Sequence, residues 1–281
     1  MIVWIASYPK SGNTWMRAFL SSYFMTENGI FDVKKLNAIP NYPQQSFFGD
    51  EIIPKGEIFK FWESSQKKII ETKKIKFLKT HNALIKKDNF EFTYPKFVLG
   101  IIYIIRDPRN VITSIKNHNG FESYEETFEY MKNIRAIETK EINKSFSSYS
   151  YVTSWKMHYE SWNNSKNYRI LTIKYEDMLN EPYKTFRDVI VFINAICKFN
   201  NRVNENKIMN SINSTNFDSL KKIEENGTFN ENAYIENKNL RPKFFFLGSK
   251  NNWKNLLTEK IKNEMNEYYK QDLLKFDYEK N

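Results

Sequence analysis

Cysteine is almost absent from this 281-residue sequence, and long apolar runs are absent altogether. The single Cys197 excludes an internal disulfide and a cysteine-based metal site, and it is typical of a protein from a reducing compartment. No run of about 18 apolar residues occurs, so the sequence predicts no membrane span. Residues 1–6 are too short for the core of a signal peptide and lack a basic leader. We therefore expect a soluble, cytoplasmic protein.

Acidic residues are in deficit, because 43 Lys and Arg stand against 33 Asp and Glu and give a formal net charge of +10. A positive balance suits an anionic partner such as a phosphate ester. Much of the excess is Lys scattered among Asn and Ile, and a dense basic run with interleaved aromatics is missing. We expect no nucleic-acid partner, and a basic nucleic-acid-binding module stays only as an alternative.

Short apolar runs alternate with helical patterns along the chain. The runs are typical of buried parallel strands and fall at residues 2–6, 75–79, 97–105 and 169–174. Helical spacing follows at 14–24, 57–72, 108–117, in two stretches filling 122–165, and at 183–195. Residues 28–56 lack a clear period. The alternation predicts a single domain over residues 1–281, with an α/β fold of three layers (α/β/α) around a central, mainly parallel sheet.

The segment "YPKSGNTW", residues 8–15, connects the first predicted strand to the first helix. Unpaired N–H groups and the positive end of a helix dipole make such a turn an anion site. Lys10 adds a cation and Gly12 allows close approach of the backbone, while Ser11, Asn13 and Thr14 add side-chain donors. The lysine precedes the glycine, so this is not the loop of an ordinary nucleoside triphosphatase. Taken alone, the pattern is also compatible with an ordinary polar connection.

Three segments together resemble sulfotransferases that use 3′-phosphoadenosine 5′-phosphosulfate (PAPS). "YPKSGNTW" resembles that family's 5′-phosphosulfate loop, which makes the predicted strand-loop-helix P-loop-like. "YIIRDPRNVITS" at 103–114 resembles the segment that holds the 3′-phosphate, with Arg106 and Ser114 at its anion-binding positions. "FLKTHNAL" at 77–84 resembles the segment with the catalytic histidine, here His81. The ending "SGNTWMR" and the short chain resemble the bacterial branch.

Weaker matches extend the resemblance to the purine. "ILTIKYEDM" puts Tyr175 where the family contacts the adenine, and "STNFDSLKKIEEN" puts Thr215 and Phe217 where it holds the purine. A helix-start tyrosine and a core phenylalanine explain these two segments equally well. The resemblance implies that PAPS, and its product 3′-phosphoadenosine 5′-phosphate (PAP), bind at Lys10, Ser11, Gly12, Asn13, Thr14, Trp15, Arg106, Ser114, Tyr175, Thr215, Phe217 and Gly248.

The resemblance breaks near the C-terminus, in "FFFLGSKNNWKNLLT". Phe246 and Leu247 stand where the family has an Arg and a Lys that clamp the 3′-phosphate. Two alternatives follow: the phosphate depends more heavily on Arg106 and Ser114, or a cation arrives from a shifted backbone, namely Arg241, Lys243 or Lys250. The next residues follow the family's dimer pattern only in part, so we expect a monomer or a weak homodimer.

The resemblance implies transfer of a sulfuryl group from PAPS to a hydroxyl or amine of a small-molecule or glycosylated acceptor, by in-line displacement without a metal. His81 would be the general base, and Lys10 and Lys79 would stabilise the developing charge. We expect His118 and His158 to be structural. Acceptor walls are predicted at 28–72, 82–95 and 225–247. A metal-dependent P-loop kinase, with Asp107 or Asp177 as the metal ligand, is the alternative enzyme.

Overall fold

A computed structural model describes residues 1–49, 53–54, 56–140, 147–200, 202–229, 231, 234–235 and 238–279. Within these residues the strands are β1 (Ile2–Ser7), β2 (Lys76–Thr80), β3 (Lys86–Lys87), β4 (Phe90–Glu91), β5 (Val98–Ile105), β6 (Ala136–Lys140), β7 (Ser147–Tyr151) and β8 (Ile170–Lys174). The four predicted strands are therefore confirmed within two residues at either end.

The helices of the described residues bear out most of the periodic stretches. Short 3₁₀ turns, among them Val33–Ala38 and Gln45–Phe47, occupy the segment predicted to be irregular. The α-helices are α1 (Asn13–Met25), α2 (Trp62–Glu71), α3 (Pro108–Asn119), α4 (Tyr124–Lys132), α5 (Trp155–Asn163), α6 (Tyr175–Asn180), α7 (Pro182–Cys197), α8 (Glu205–Ser214), α9 (Phe217–Glu225), α10 (Trp253–Leu256), α11 (Glu259–Tyr268) and α12 (Lys270–Lys275). In this part of the chain, none of the helices is both long and apolar enough to cross a membrane.

The central sheet has the strand order β2-β1-β5-β8, and every pair in it is parallel. Ala6 pairs with Thr80, Ser7 with Ile104, and Ile105 with Lys174. Because all four strands point the same way, their carboxyl ends meet at one edge of the sheet. The polar residues that follow each strand therefore converge there.

The sheet is buried on both faces. Val3 and Ile5 of β1 pack with α1, α7 and α8, whereas Trp4 packs on the opposite face with α2, α5 and α11. Alternation of side chains along a strand sends neighbours to opposite faces, which explains why these runs are apolar throughout. The three-layer α/β/α prediction is confirmed.

One prediction of local structure is wrong. Residues 122–165 are not filled by two helices, because β6 and β7 form an antiparallel hairpin between α4 and α5, with Glu138 opposite Tyr149. Tyr149 and Tyr151, two residues apart, both pack against the core, so a period of two prevails over the helical pattern. After β8 the chain continues directly into α6. Residues 141–146 of the mistaken stretch lie outside the described residues.

Candidate active site

A cavity of about 1450 Å³ opens at the carboxyl edge of the sheet. Residues that directly follow all four strands line it. The turn after β1 contributes Lys10, β2 is followed by His81, β5 by Arg106, and β8 by Tyr175. The parallel topology thus brings together segments that lie up to 165 residues apart in the sequence, as the sheet prediction requires.

The turn between β1 and α1 holds a strained backbone. Lys10 has φ 66° and Gly12 has φ 99°, and non-glycine residues adopt the left-handed region at a cost. A Cβ on Gly12 would come within 2.5 Å of the Tyr175 ring, so only glycine fits between the turn and α6. Gly12 is also the N-cap of α1, so the unpaired N–H groups in the first turn of this helix lie at the cavity.

Lys10 is held without a carboxylate contact of its own among the described residues. Its Nζ lies 3.8 Å from the centroid of the Phe244 ring, and its carbonyl accepts a hydrogen bond of 2.9 Å from Arg106 Nη1. Burial, followed by repulsion from Lys79 and Arg106, lowers the pKa of Lys10 to about 7. The site therefore has a cation whose charge an incoming anion stabilises.

His81 is fixed in one tautomer by its neighbour on β1. Its Nδ1 lies 2.8 Å from the carbonyl oxygen of Ser7. Because a carbonyl only accepts, Nδ1 must carry the proton, and Nε2 keeps its lone pair. Burial and the nearby Lys79 hold the pKa of His81 well below its usual range. The imidazole is therefore neutral at pH 7 and has a basic nitrogen at Nε2.

A second histidine supports the backbone of the first. His158 Nε2 donates to the carbonyl of His81 at 3.1 Å, and its Nδ1 accepts from the Tyr103 hydroxyl at 2.8 Å. His158 is fully buried, and burial lowers its pKa to about 3. This geometry agrees with the structural role predicted for His158.

A carboxylate that sequence analysis does not predict lies in the cavity beside the turn after β1. Glu231 accepts a hydrogen bond of 3.0 Å from Thr14 Oγ1, pairs with the buried Arg17, and lies 3.9 Å from Lys79 Nζ. Burial alone would raise the pKa of Glu231, but Lys79 and Arg17 lower it to about 2. The carboxylate of Glu231 therefore already interacts with both Thr14 and Lys79.

Arg106 connects the loop to α3. Its Nη1 donates to Lys10 and contacts Ser114 Oγ at 3.4 Å, and its guanidinium lies 4.0 Å from the Tyr175 ring centroid. Its Nε is buried and has no hydrogen-bond partner among the described residues. The neighbouring Asp107 pairs with Arg109 rather than with Arg106.

Aromatic rings line the part of the cavity predicted to hold the purine. Trp15 meets Tyr175 edge-on, and its Nε1 is buried with no hydrogen-bond partner in the described part of the chain. Gly248, with φ 56°, lies against Phe217 so closely that a Cβ would come within 2.5 Å of the ring. An anion-binding loop, flat rings and orphaned buried donors together fit a nucleotide.

Three predicted binding residues are placed differently. Ser11 and Thr215 do not line the cavity: both are fully buried, and Thr215 donates back to the carbonyl of Ser211. Asn13 lines it, but its side chain donates inward to Ile5 and Ser7. Cap and turn residues commonly satisfy their own backbone in this way, which sequence spacing does not reveal.

Of the segments predicted to form the acceptor walls, 225–247 contributes several residues to the cavity lining and the other two contribute little. Within 28–72 only Asn41 lines the cavity among the described residues, and 82–95 contributes none, since six of its residues line a separate pocket of about 240 Å³. Residues 50–52, 55, 230, 232–233 and 236–237 lie outside the described residues. Lining side chains that sequence analysis missed include Asn117, His118, Asn119, Tyr130, Ile137, Glu138 and Ser150.

Comparisons with known proteins agree with this geometry. A family model described as "Sulfotransferase domain" matches residues 2–277. Sulfotransferase 1E1 of Mus musculus is 23% identical over 280 residues, 96% of this chain and 82% of its own length, and flavonol 4′-sulfotransferase of Flaveria chlorifolia is 25% identical over 267 residues, 92% and 75%. Mouse sulfotransferase SULT7A1, solved in complex with PAP, has the same fold, with a TM-score of 0.60, 19% identity and coverage of 97% and 84%.

Proposed function

This chain belongs to the sulfotransferase domain family, and we propose that its cavity binds PAPS and passes the sulfuryl group to a hydroxyl or amine of a small-molecule acceptor. The observation that carries the proposal is the fixed tautomer of His81, whose basic Nε2 stands beside Lys79 and the anion-binding turn in one cavity. Relatives solved with PAP support the identity of the donor.

The reaction exchanges one sulfur–oxygen bond for another. The acceptor oxygen or nitrogen forms a bond to sulfur while the bond from sulfur to the 5′-phosphate oxygen breaks, and PAP leaves. His81 Nε2 takes the acceptor proton, because Nδ1 already donates to Ser7. An anionic donor raises the low pKa of His81 toward neutrality, where general bases work best.

Lys10 and Lys79 supply the positive field at the reacting end. Both are largely withdrawn from water, where a charge acts more strongly than it does in solution. The N–H groups at the start of α1 and the hydroxyl of Thr14 add donors for the 5′-phosphate. PAPS supplies an activated sulfuryl group on a good leaving group, and the protein contributes position and charge.

The nucleotide end is expected to be held by Arg106, Ser114, Trp15, Tyr175 and Phe217. Arg106 Nε and Trp15 Nε1 are buried donors without a protein partner among the described residues, so a nucleotide would satisfy them. A flat purine also suits the rings of Trp15 and Tyr175.

A metal-dependent kinase fits less well. Asp107 is bound by Arg109, and Asp177 lies 3.8 Å from Lys174 and half-exposed. Neither aspartate lines the cavity. A kinase would need an acidic metal ligand facing the phosphates, and Glu231, the carboxylate beside the turn, is already paired with Arg17 and hydrogen-bonded by Thr14.

A thermal-shift comparison tests the proposal. PAP should raise the melting temperature by several degrees at a concentration well above its Kd, whereas ATP with Mg²⁺ and a single-stranded oligonucleotide should do so much less. The companion assay follows sulfur-labelled PAPS with a panel of phenols, sterols, amines and glycosides. Stabilisation by ATP with Mg²⁺ above that by PAP, or metal-dependent turnover of ATP, would favour the kinase.

A further inference from the structure

We propose that the nucleotide donor is held here with little dependence on its 3′-phosphate, so that adenosine 5′-phosphosulfate serves as a donor almost as well as PAPS. The inference rests on the proposed function and deepens it by naming the donor class. Bond exchange is the same as above, except that AMP leaves in place of PAP and the acceptor proton still goes to His81.

The first step is the charge of the cavity wall. Among the described residues, the Lys and Arg side chains that line it are three, and the carboxylates are also three. PAPS carries about four negative charges, two of them on the 3′-phosphate. Even when the buried Arg17 is counted as the partner of Glu231, the cations exceed the carboxylates by only one, which is a poor match to a ligand of that charge. The six lining side chains are Lys10, Lys79, Arg106, Glu138, Asp218 and Glu231.

The second step concerns the positions of the three cations in the cavity. Lys10 belongs to the strained turn, and Lys79 lies 3.9 Å from Glu231 at the same end. Arg106 alone of the three contacts Ser114, the side chain predicted to meet the 3′-phosphate. Its Nη1 is already shared between Ser114 and the carbonyl of Lys10, so only part of its fork remains for a ligand.

The third step is the part of the lining where the resemblance predicts a basic pair, which is apolar here. Phe246 and Leu247 line the cavity, and Gly248 lies flat on Phe217. The alternative cations predicted from the sequence do not fill this gap. Of the described residues, Arg241, Lys243 and Lys250 all fall outside the lining and are exposed. Among the cations of the described lining, Arg106, with one nitrogen already hydrogen-bonded, is therefore the one expected to meet the doubly charged 3′-phosphate.

These observations set the expected size of the effect. A hydrogen bond to a charged group is worth roughly a factor of ten to a hundred in affinity, and Arg106 has already committed one of its nitrogens. We expect PAP to bind at most about tenfold more tightly than AMP. We likewise expect kcat/KM for PAPS and for adenosine 5′-phosphosulfate to agree within about tenfold.

The experiment measures the Kd of PAP and of AMP by calorimetry, and turnover of both sulfur-labelled donors with one acceptor. Ratios of tenfold or less for both pairs support the inference. A ratio above tenfold for either pair overturns it while leaving the sulfotransferase function intact. Absence of binding by both nucleotides, with no transfer from either donor, instead removes the proposed function.

A variant that adds a positive charge tests the role of the apolar part of the lining directly. Leu247→Arg should tighten PAP by about tenfold and leave AMP within twofold, because it adds the missing cation to the apolar wall. Val191→Arg, exposed on α7 and outside the cavity, adds the same charge and should change neither Kd. An equal gain with both variants, or no gain for Leu247→Arg in a protein that still binds AMP, would overturn the assignment of this wall.

Discussion

One end of the cavity, around the turn after β1, has Lys10, Lys79 and Glu231 close together. The end at Ser114 has Arg106, which also reaches back to the carbonyl of Lys10, and the lining there includes the apolar Phe246 and Leu247. The crowded end, called the loop end here, has strained φ angles and lowered lysine pKa values. The sparse end, called the apolar end, includes Leu247. Because positive charge is concentrated at the loop end, we expect it to stabilise the negative charge that develops during the reaction more than the negative charge that the bound donor already carries.

The largest effect is expected at the loop end. His81→Ala removes the nitrogen that we propose takes the acceptor proton, and general-base catalysis is worth about 10² to 10⁴ in rate. We expect kcat to fall by that factor while the Kd of PAP changes less than twofold. The measurement is steady-state sulfuryl transfer together with calorimetric titration of PAP.

The His81→Ala variant can also contradict this contrast between the loop end and the apolar end. Turnover within tenfold of the wild type would remove His81 as the base. A large loss of PAP affinity would instead assign His81 to nucleotide binding. His118→Ala is the companion variant, since His118 lines the same cavity and lies edge-on to Phe244. It should change the KM of the acceptor more than kcat.

The second effect is a pH dependence of donor binding. Lys10 has a pKa of about 7 in the free protein, so raising the pH through 7 removes a charge that an anion needs. The phosphates of PAP are already fully ionised there, because their second pKa is near 6. We expect the Kd of PAP to rise severalfold between pH 7 and 8.

Lys10→Arg is the control for that titration, because its guanidinium stays charged throughout this range. The profile should become nearly flat in the variant. A wild-type profile that is flat between pH 7 and 9 would show that Lys10 keeps its proton and that the loop end is less crowded than its geometry indicates.

The sequence predicts the sheet well because its evidence is local. Buried parallel strands require continuous apolar runs, and residues 2–6 and 97–105 are such runs. The hairpin of β6 and β7 was not predicted because the alternation at Tyr149 and Tyr151 is too short to stand out within the longer stretch. Pairing between two segments, rather than either segment alone, determines that structure.

Residues of the cavity lining were predictable where a motif follows a strand, as for Lys10 and His81. Glu231 was not, because it reaches Thr14 across 217 residues of sequence and belongs to no periodic element. Arg17 offered a signal: it lies one turn after Thr14 on α1, so a buried cation beside the turn implies an anionic partner. The identity of that partner comes only from tertiary contacts.

The third effect tests whether Glu231 competes with the donor. Glu231→Gln removes a negative charge beside Thr14 and Lys79, and we expect PAP to bind about three- to tenfold more tightly. Arg17 loses its counterion but keeps the carbonyls of Ile39 and Leu36, so the melting temperature should fall by a few degrees.

Glu205→Gln is the matched control, because Glu205 is a half-exposed surface partner of Arg187 outside the cavity. It should alter neither affinity nor melting temperature. Weaker PAP binding in Glu231→Gln would mean that Glu231 holds Thr14 and Lys79 in position for the donor rather than occupying its place.

The smallest effect is expected at the apolar end. Ser114 Oγ contacts Arg106 Nη1 at 3.4 Å and Asn251 Nδ2 at 3.3 Å, both long contacts to a neutral hydroxyl. Ser114→Ala should weaken PAP by about two- to fivefold, leave AMP unchanged and leave kcat unchanged, as measured by the same titrations and assay. A fall in kcat comparable with that of His81→Ala would erase the distinction between the two ends, because the apolar end would then take part in the reaction and not only in holding the nucleotide.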